Sequence, residues 1–122
     1  IFAAGDCAEI SGVVSGLYAP AMAEGKIAGS HMTGAALDYA AAPVAARLAA
    51  FGLTLVSAGD IGEALEKKTF SDPARGIWKR IFLHDGILVG GILFGDAKAA
   101  VKLGELLRMP TSGAAAAAAL LA

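Results

Sequence analysis

The run Gly76-Ile-Trp-Lys-Arg-Ile-Phe-Leu83, His84-Asp-Gly86, Ile87-Leu-Val-Gly-Gly-Ile-Leu-Phe94 reads as a β-hairpin. Its first arm is built on β-branched and aromatic residues in alternation, the period-2 pattern of a strand with one covered face. Asp-Gly between the arms suits a tight turn, in which both central residues need a positive φ. The second arm is almost continuously apolar, as a strand in the middle of a sheet must be. Gly90-Gly91 inside it predicts a bulge or the close approach of another backbone.

Working outward, Lys67 to Phe70 reads as an edge strand beside the hairpin, and Leu53-Thr-Leu-Val-Ser57 as a further strand bounded by Gly52 and Gly59. Residues 57–62 form a loop between them. Asp96 is placed to cap a helix from Ala97 to Met109, whose apolar face is expected to carry Val101, Leu103, Leu106 and Leu107. Pro110 ends it. Residues 114–121 make a second, alanine-rich helix or a frayed tail. In residues 40–51, Ala41, Ala42, Ala45, Ala46, Ala49 and Ala50 favour helix, but Pro43 stops any helix arriving from upstream, so this segment is read as a connector into a strand.

At the other end, residues 1–4 read as a short apolar strand and 5–17 as a loop. A helix follows, with Pro20 in its first turn, where a missing N–H costs nothing. Ala21, Gly25, Ala28, Met32, Ala35 and Tyr39 recur at helical spacing. So small a face implies that the helix lies close to another backbone or a ligand. The expected architecture is α+β: a small antiparallel sheet with packed helices, preceded by a strand-loop-helix segment. The domains are taken as 1–42 and 43–122.

The bulk numbers narrow the function. The chain has 122 residues, 57% of them hydrophobic, with net charge −1 and mean hydropathy +0.64. A domain this small has too much surface to hide so many apolar residues, which implies a covered interface or a missing neighbour. A membrane span is rejected: the uncharged stretch from Met109 to Ala122 has 14 residues, against the roughly 20 a spanning helix needs. Mixed charges without a basic stripe argue against nucleic acid. The single cysteine, Cys7, fits a reducing cytoplasm, and no secretory leader opens the sequence. The chain does not begin with Met, and a strand at residues 1–4 has no upstream partners, so it is expected to be part of a longer protein.

Gly5-Asp6, at the end of the first strand and ahead of a helix, is the motif with chemistry. Glycine lets a ligand approach the backbone, and a carboxylate accepts hydrogen bonds from polyol hydroxyls. The helix N-terminus that follows offers free N–H groups to an electron-rich acceptor. An ordinary strand-turn with an Asp cap has the same dipeptide. The wider pattern is more specific. Ile1-Phe-Ala-Ala-Gly-Asp-Cys-Ala-Glu9 followed by Tyr18-Ala-Pro-Ala-Met-Ala-Glu-Gly-Lys-Ile-Ala28 resembles the last FAD-binding segment of the pyridine nucleotide-disulfide oxidoreductase superfamily. Gly52-Leu-Thr-Leu-Val-Ser-Ala-Gly-Asp60 and Leu88-Val-Gly-Gly-Ile-Leu-Phe-Gly-Asp96 look like the carboxy-terminal domain of its branch of NADH–rubredoxin reductases and assimilatory nitrite reductases.

The resemblance implies that Gly5 and Asp6 meet the flavin ribityl chain and that the backbone at Ala21 and Met22 faces the flavin pyrimidine edge. It implies a parent enzyme that passes electrons from NAD(P)H through FAD to an acceptor. The family's Gly-rich phosphate loop, second dinucleotide-binding unit and redox cysteine pair are not in these residues, so the chain alone is expected to bind FAD poorly and to carry no catalytic residue. A redox partner protein or a second copy is the expected partner. The alternative is a free-standing interaction module without a flavin role. Cys7 reads as a small buried residue, His31 as a helix-surface residue and His84 as a turn residue, with no metal set among them. Trp78 reads as a half-buried sheet aromatic, and the pairs Lys67-Lys68 and Lys79-Arg80 as a solvated face or, less simply, a docking face for an acidic partner.

Overall fold

The hairpin forms as its alternation dictates. In a computed structural model describing residues 1–38 and 45–122, β4 (Ile77–His84) and β5 (Ile87–Phe94) pair antiparallel around Asp85-Gly86. Both turn residues have positive φ, 49° and 76°. The pairing steps from Phe82↔Gly90 to Leu83↔Leu88, which leaves Val89 as the extra residue of a bulge. The expected edge strand is β3 (Glu66–Asp72), paired along β4. On the other side of β5 lies β2 (Leu53–Gly59), and beyond it β1 (Ala46–Ala50), giving an antiparallel sheet ordered β1-β2-β5-β4-β3.

β1 takes part of a segment whose alanines favour helix. Pairing with β2 overrides that propensity. The turn joining them is Phe51-Gly52, with φ of 54° and 75°. Phenylalanine is a poor residue for a left-handed position, so no turn signal marked the start of this hairpin. Tyr39, Pro43 and the expected boundary at residues 42–43 lie outside the described residues.

Two helices cover one face of the sheet. α2 (Ala97–Leu106) starts at Asp96, whose side chain accepts from the Lys98 and Ala99 N–H groups at 3.0 and 2.9 Å. α3 (Gly113–Leu120) starts at Ser112 and is a formed helix rather than a frayed tail. It is tied to the β4–β5 hairpin by Gly113 N–H to Gly86 O at 2.7 Å and by Leu88 N–H to Thr111 O at 2.8 Å. The core between helices and sheet is Ala58, Ile81, Leu83, Leu88, Leu93, Leu103, Ala116 and Leu120. Each fully buried Leu or Ile here contributes about 1.5–3 kcal/mol. Val101, expected on the covered face, is 65% exposed; the buried side of α2 runs instead through Ala99 and Leu103, with Leu106 packed against it.

The chain divides into two compact units, Ile1–Val44 and Ala45–Ala122. The sheet and its helices form the second. The first holds α1 (Tyr18–Met32), with Pro20 in its first turn, after a loop that contains one 3₁₀ turn at Gly5–Cys7. Ala4 is extended (φ −155°, ψ 153°), yet among the described residues no strand pairs with residues 1–4. In this unit Phe2, Val13, Val14, Tyr18 and Met22 are exposed, and Gly5, Pro20 and Glu24 are buried. No described helix is long and apolar enough to cross a membrane.

Candidate functional site

The 3₁₀ turn places Gly5 in the left-handed region at φ 72° and buries it against α1. A side chain there would be strained by that φ, and its Cβ would meet the Ala21 Cβ at 3.3 Å. Two hydrogen bonds fix the residue: its N–H donates to Glu24 Oε2 at 2.7 Å, and its carbonyl accepts from the Ala8 N–H at 2.8 Å. Asp6, next in the chain, is exposed. Thus a rigid glycine precedes a solvent-facing carboxylate.

α1 begins beside this turn. Leu17 is its N-cap and makes no side-chain cap bond, and the leading N–H groups of a helix have no intrahelical partners. The structure brings Gly5 and Ala21 together by the contact just described. The Ala21 N–H is committed to Leu17 O at 3.1 Å, and Met22 is exposed. A cleft of about 160 Å³ opens alongside, lined by Phe2, Ile10, Glu24, Ile27 and His31 among others. A left-handed glycine, an exposed carboxylate and a helix start without a side-chain cap are chemically suited to a polyol phosphate ligand, since a carboxylate can accept from hydroxyls and helix N–H groups can face an acceptor.

The remaining candidates fall into place. Cys7 is exposed, contrary to the expected burial, and its thiol donates to Ala4 O at 3.2 Å. His31 bonds locally, its Nε2 lying 3.0 Å from Leu37 O. His84 is exposed at the end of β4, and among the described residues no group of His, Cys, Asp and Glu could hold a metal. Trp78 is half-buried with the Arg80 guanidinium 4.8 Å over its ring.

The basic pairs do not share a face, because neighbouring residues in a strand point to opposite sides. Lys67 is exposed, whereas Lys79 points to the helix-covered side, where its ammonium meets Asp96 Oδ2 at 2.8 Å with the side chain 3% exposed. Neither reading of the four cations as one face survives.

Glu24 and the Lys79–Asp96 pair escaped the sequence reading. For Glu24 a signal exists: it falls at i+3 from Ala21 and i−4 from Ala28, a lone carboxylate on a stripe of small residues.

By its fold the second unit is an α+β domain with an open antiparallel sheet covered on one face by two helices. The chain belongs to the rubredoxin NAD+ reductase C-terminal domain family, which matches residues 44–111. It is 35% identical over 111 residues to the nitrite reductase [NAD(P)H] of Bacillus subtilis, covering 88% of this chain and 14% of that protein. It is 38% identical over 103 residues to the assimilatory nitrate reductase electron transfer subunit of the same organism, covering 80% of this chain and 13% of that protein. The chain therefore spans a small part of these relatives. An alignment of 111 residues is longer than Ala45–Ala122 and reaches back into the first unit. The crystal structure of NADH:rubredoxin oxidoreductase from Clostridium acetobutylicum shares the fold, with a TM-score of 0.68 at 24% identity over 89% of this chain and 29% of that one.

Proposed function

We propose that this chain is the carboxy-terminal part of a cytoplasmic flavoprotein oxidoreductase that passes electrons from NAD(P)H through FAD to an acceptor. The observation that carries this reading is the Gly5-Asp6 turn, held against α1 with its carboxylate exposed. Similarity over both units to a nitrite reductase [NAD(P)H] and to a nitrate reductase electron transfer subunit supports it. FAD, when bound, supplies the redox chemistry. Asp6 accepts hydrogen bonds from the ribityl hydroxyls, Gly5 allows the cofactor close to the backbone, and the first turns of α1, at Ala21 and Met22, lie toward the ring edge. On this proposal the described residues supply binding and orientation rather than catalytic groups.

The full protein as encoded, purified and folded, is expected to show the visible absorption bands of bound flavin. Those bands should bleach when NADH or NADPH is added without oxygen. Well-folded full-length protein without flavin would refute the reading.

The second unit serves, on this proposal, as a dimerisation or partner-docking domain. The sheet face away from α2 and α3 favours that role. There Phe51 is 100%, Leu48 60% and Leu53 47% exposed, beside the partly covered Leu55 and Phe94. An apolar surface of this kind marks an interaction site more often than a free face. Sedimentation of the purified chain is expected to give a mass above the monomer, and Leu48→Asp should shift it toward the monomer. A strict monomer at high concentration counts against the dimer.

A further inference from the structure

We propose that Glu24 is a positioning residue for the Asp6 carboxylate, a role that rests on the flavin reading above. Glycine samples both signs of φ with little penalty, so an untethered Gly5 would leave the following residue without a fixed direction. Here the N–H of Gly5 is held by the Glu24 carboxylate at 2.7 Å and the carbonyl of Gly5 by Ala8 at 2.8 Å. With both polar groups of Gly5 held, the backbone leading into Asp6 is fixed. Asp6 is exposed, so that backbone sets where its carboxylate points.

Glu24 itself is 7% exposed and sits on α1, 19 residues from Gly5 in sequence. Burying a carboxylate is costly unless it is well hydrogen-bonded, and a charged acceptor makes a shorter, stronger bond to a backbone N–H than a neutral one. The carboxylate thus ties the cofactor-facing turn to the helix whose start faces the same ligand. Asp6 touches the ribityl chain; Glu24 acts through Asp6.

The test is FAD affinity of the full-length apoprotein, measured by flavin fluorescence quenching, with thermal unfolding as a fold control. Glu24→Met, which fills the space without an acceptor, is expected to weaken FAD binding about tenfold. Glu24→Gln keeps a carbonyl acceptor of the same reach and should stay within about threefold of the native affinity. In an Asp6→Ala background Glu24→Met should weaken binding little further, because the group it positions is already gone. Losses that multiply would overturn the positioning role, since they would mean that Glu24 acts independently of Asp6. Native affinity in Glu24→Met alongside weakened binding in Asp6→Ala would overturn the role of Glu24 and leave the flavin reading standing. Unchanged affinity in Asp6→Ala would instead remove the flavin reading, and this proposal with it. If Glu24→Met does not fold, Glu24→Asp keeps the charge one methylene short of the Gly5 N–H; the same loss is expected, and native affinity overturns the proposal.

Discussion

Replacing Asp96 by alanine is expected to destabilise the sheet domain by about 3–5 kcal/mol, the cost of leaving a buried charge without its counterion. The charge left behind is Lys79. Its side chain is 3% exposed, against 24% for Asp96, and the two groups lie 2.8 Å apart. Around the Lys79 ammonium stand the Ala122 main-chain oxygen at 3.1 Å and the Phe70 ring, 5.5 Å to its centroid. Those neighbours offer an acceptor oxygen and a ring face, whereas Asp96 supplies a carboxylate in direct contact. Asp96 also caps α2, and losing a cap costs about 1 kcal/mol on its own.

The reverse substitution should be mild. Lys79→Met removes the buried charge and fills the space with an apolar side chain, while the partly exposed Asp96 turns to water and keeps its cap bonds. A loss within about 1.5 kcal/mol is expected. Urea unfolding followed by Trp78, the single tryptophan, separates the two. Equal losses from either side would show that the pair is not effectively buried.

The pH dependence follows from the same carboxylate. The Ala99 N–H, first, and the Lys79 ammonium, second, hold Asp96 below the ordinary value of 3.8, with burial working against them. A depressed carboxylate contributes stability above its unfolded pKa of about 3.9, and that contribution is lost as pH falls through the folded value. Asp96→Asn keeps an efficient cap without the charge. The stability gap between native protein and Asp96→Asn is therefore expected to narrow from about pH 5 to pH 3. A gap independent of pH would contradict the charge assignment.

The sequence showed features that local chemistry dictates. The β4–β5 hairpin was legible because alternation and Asp85-Gly86 agree, and Asp96 because a short polar acceptor ahead of a helix has one obvious use. β1 was hidden by alanines and by a turn that uses Phe51, so only pairing with β2 made it a strand. The motif drew attention to the Gly5-Asp6 turn, but nothing in it pointed to Glu24. Its partner lies 19 residues away, and a glutamate in a helix ordinarily faces water. Lys79 was misread for a similar reason: a lysine reads as surface until β4 is seen to turn it toward Asp96. Long-range pairing of polar groups leaves little periodic trace, whereas apolar patterning does.

Gly90→Ala carries the other large effect, a loss expected to exceed about 3 kcal/mol, at or beyond the upper end of ordinary overpacking. Gly90-Gly91 promised a close approach, and the two glycines face different neighbours. A Cβ on Gly90 would fall onto the carbonyl oxygen of Asp60, with the Asp60 carbonyl carbon at 2.7 Å and its nitrogen at 2.9 Å. All three are backbone atoms. The Asp60 N–H is at the same time bound to Val89 O at 2.8 Å, at the bulge. Across the ladder Gly59 pairs with Gly90, and a Cβ on Gly59 would in turn strike Val89 O. Backbone packed on backbone from both strands leaves nothing flexible to yield, so the chain after β2 must lift from β5 and break the Asp60–Val89 bond. At Gly91 the nearest atoms are the Leu103 methyls at 2.9 and 3.0 Å, the far end of a side chain that can shift within the core. Gly91→Ala is accordingly expected to cost about 1–3 kcal/mol, the ordinary range for overpacking. The order of the two is the critical result of a urea titration. If Gly91→Ala proved the more damaging, or Gly90→Ala lay within about 1 kcal/mol of the native protein, the rigid contact between the two strand backbones would not hold.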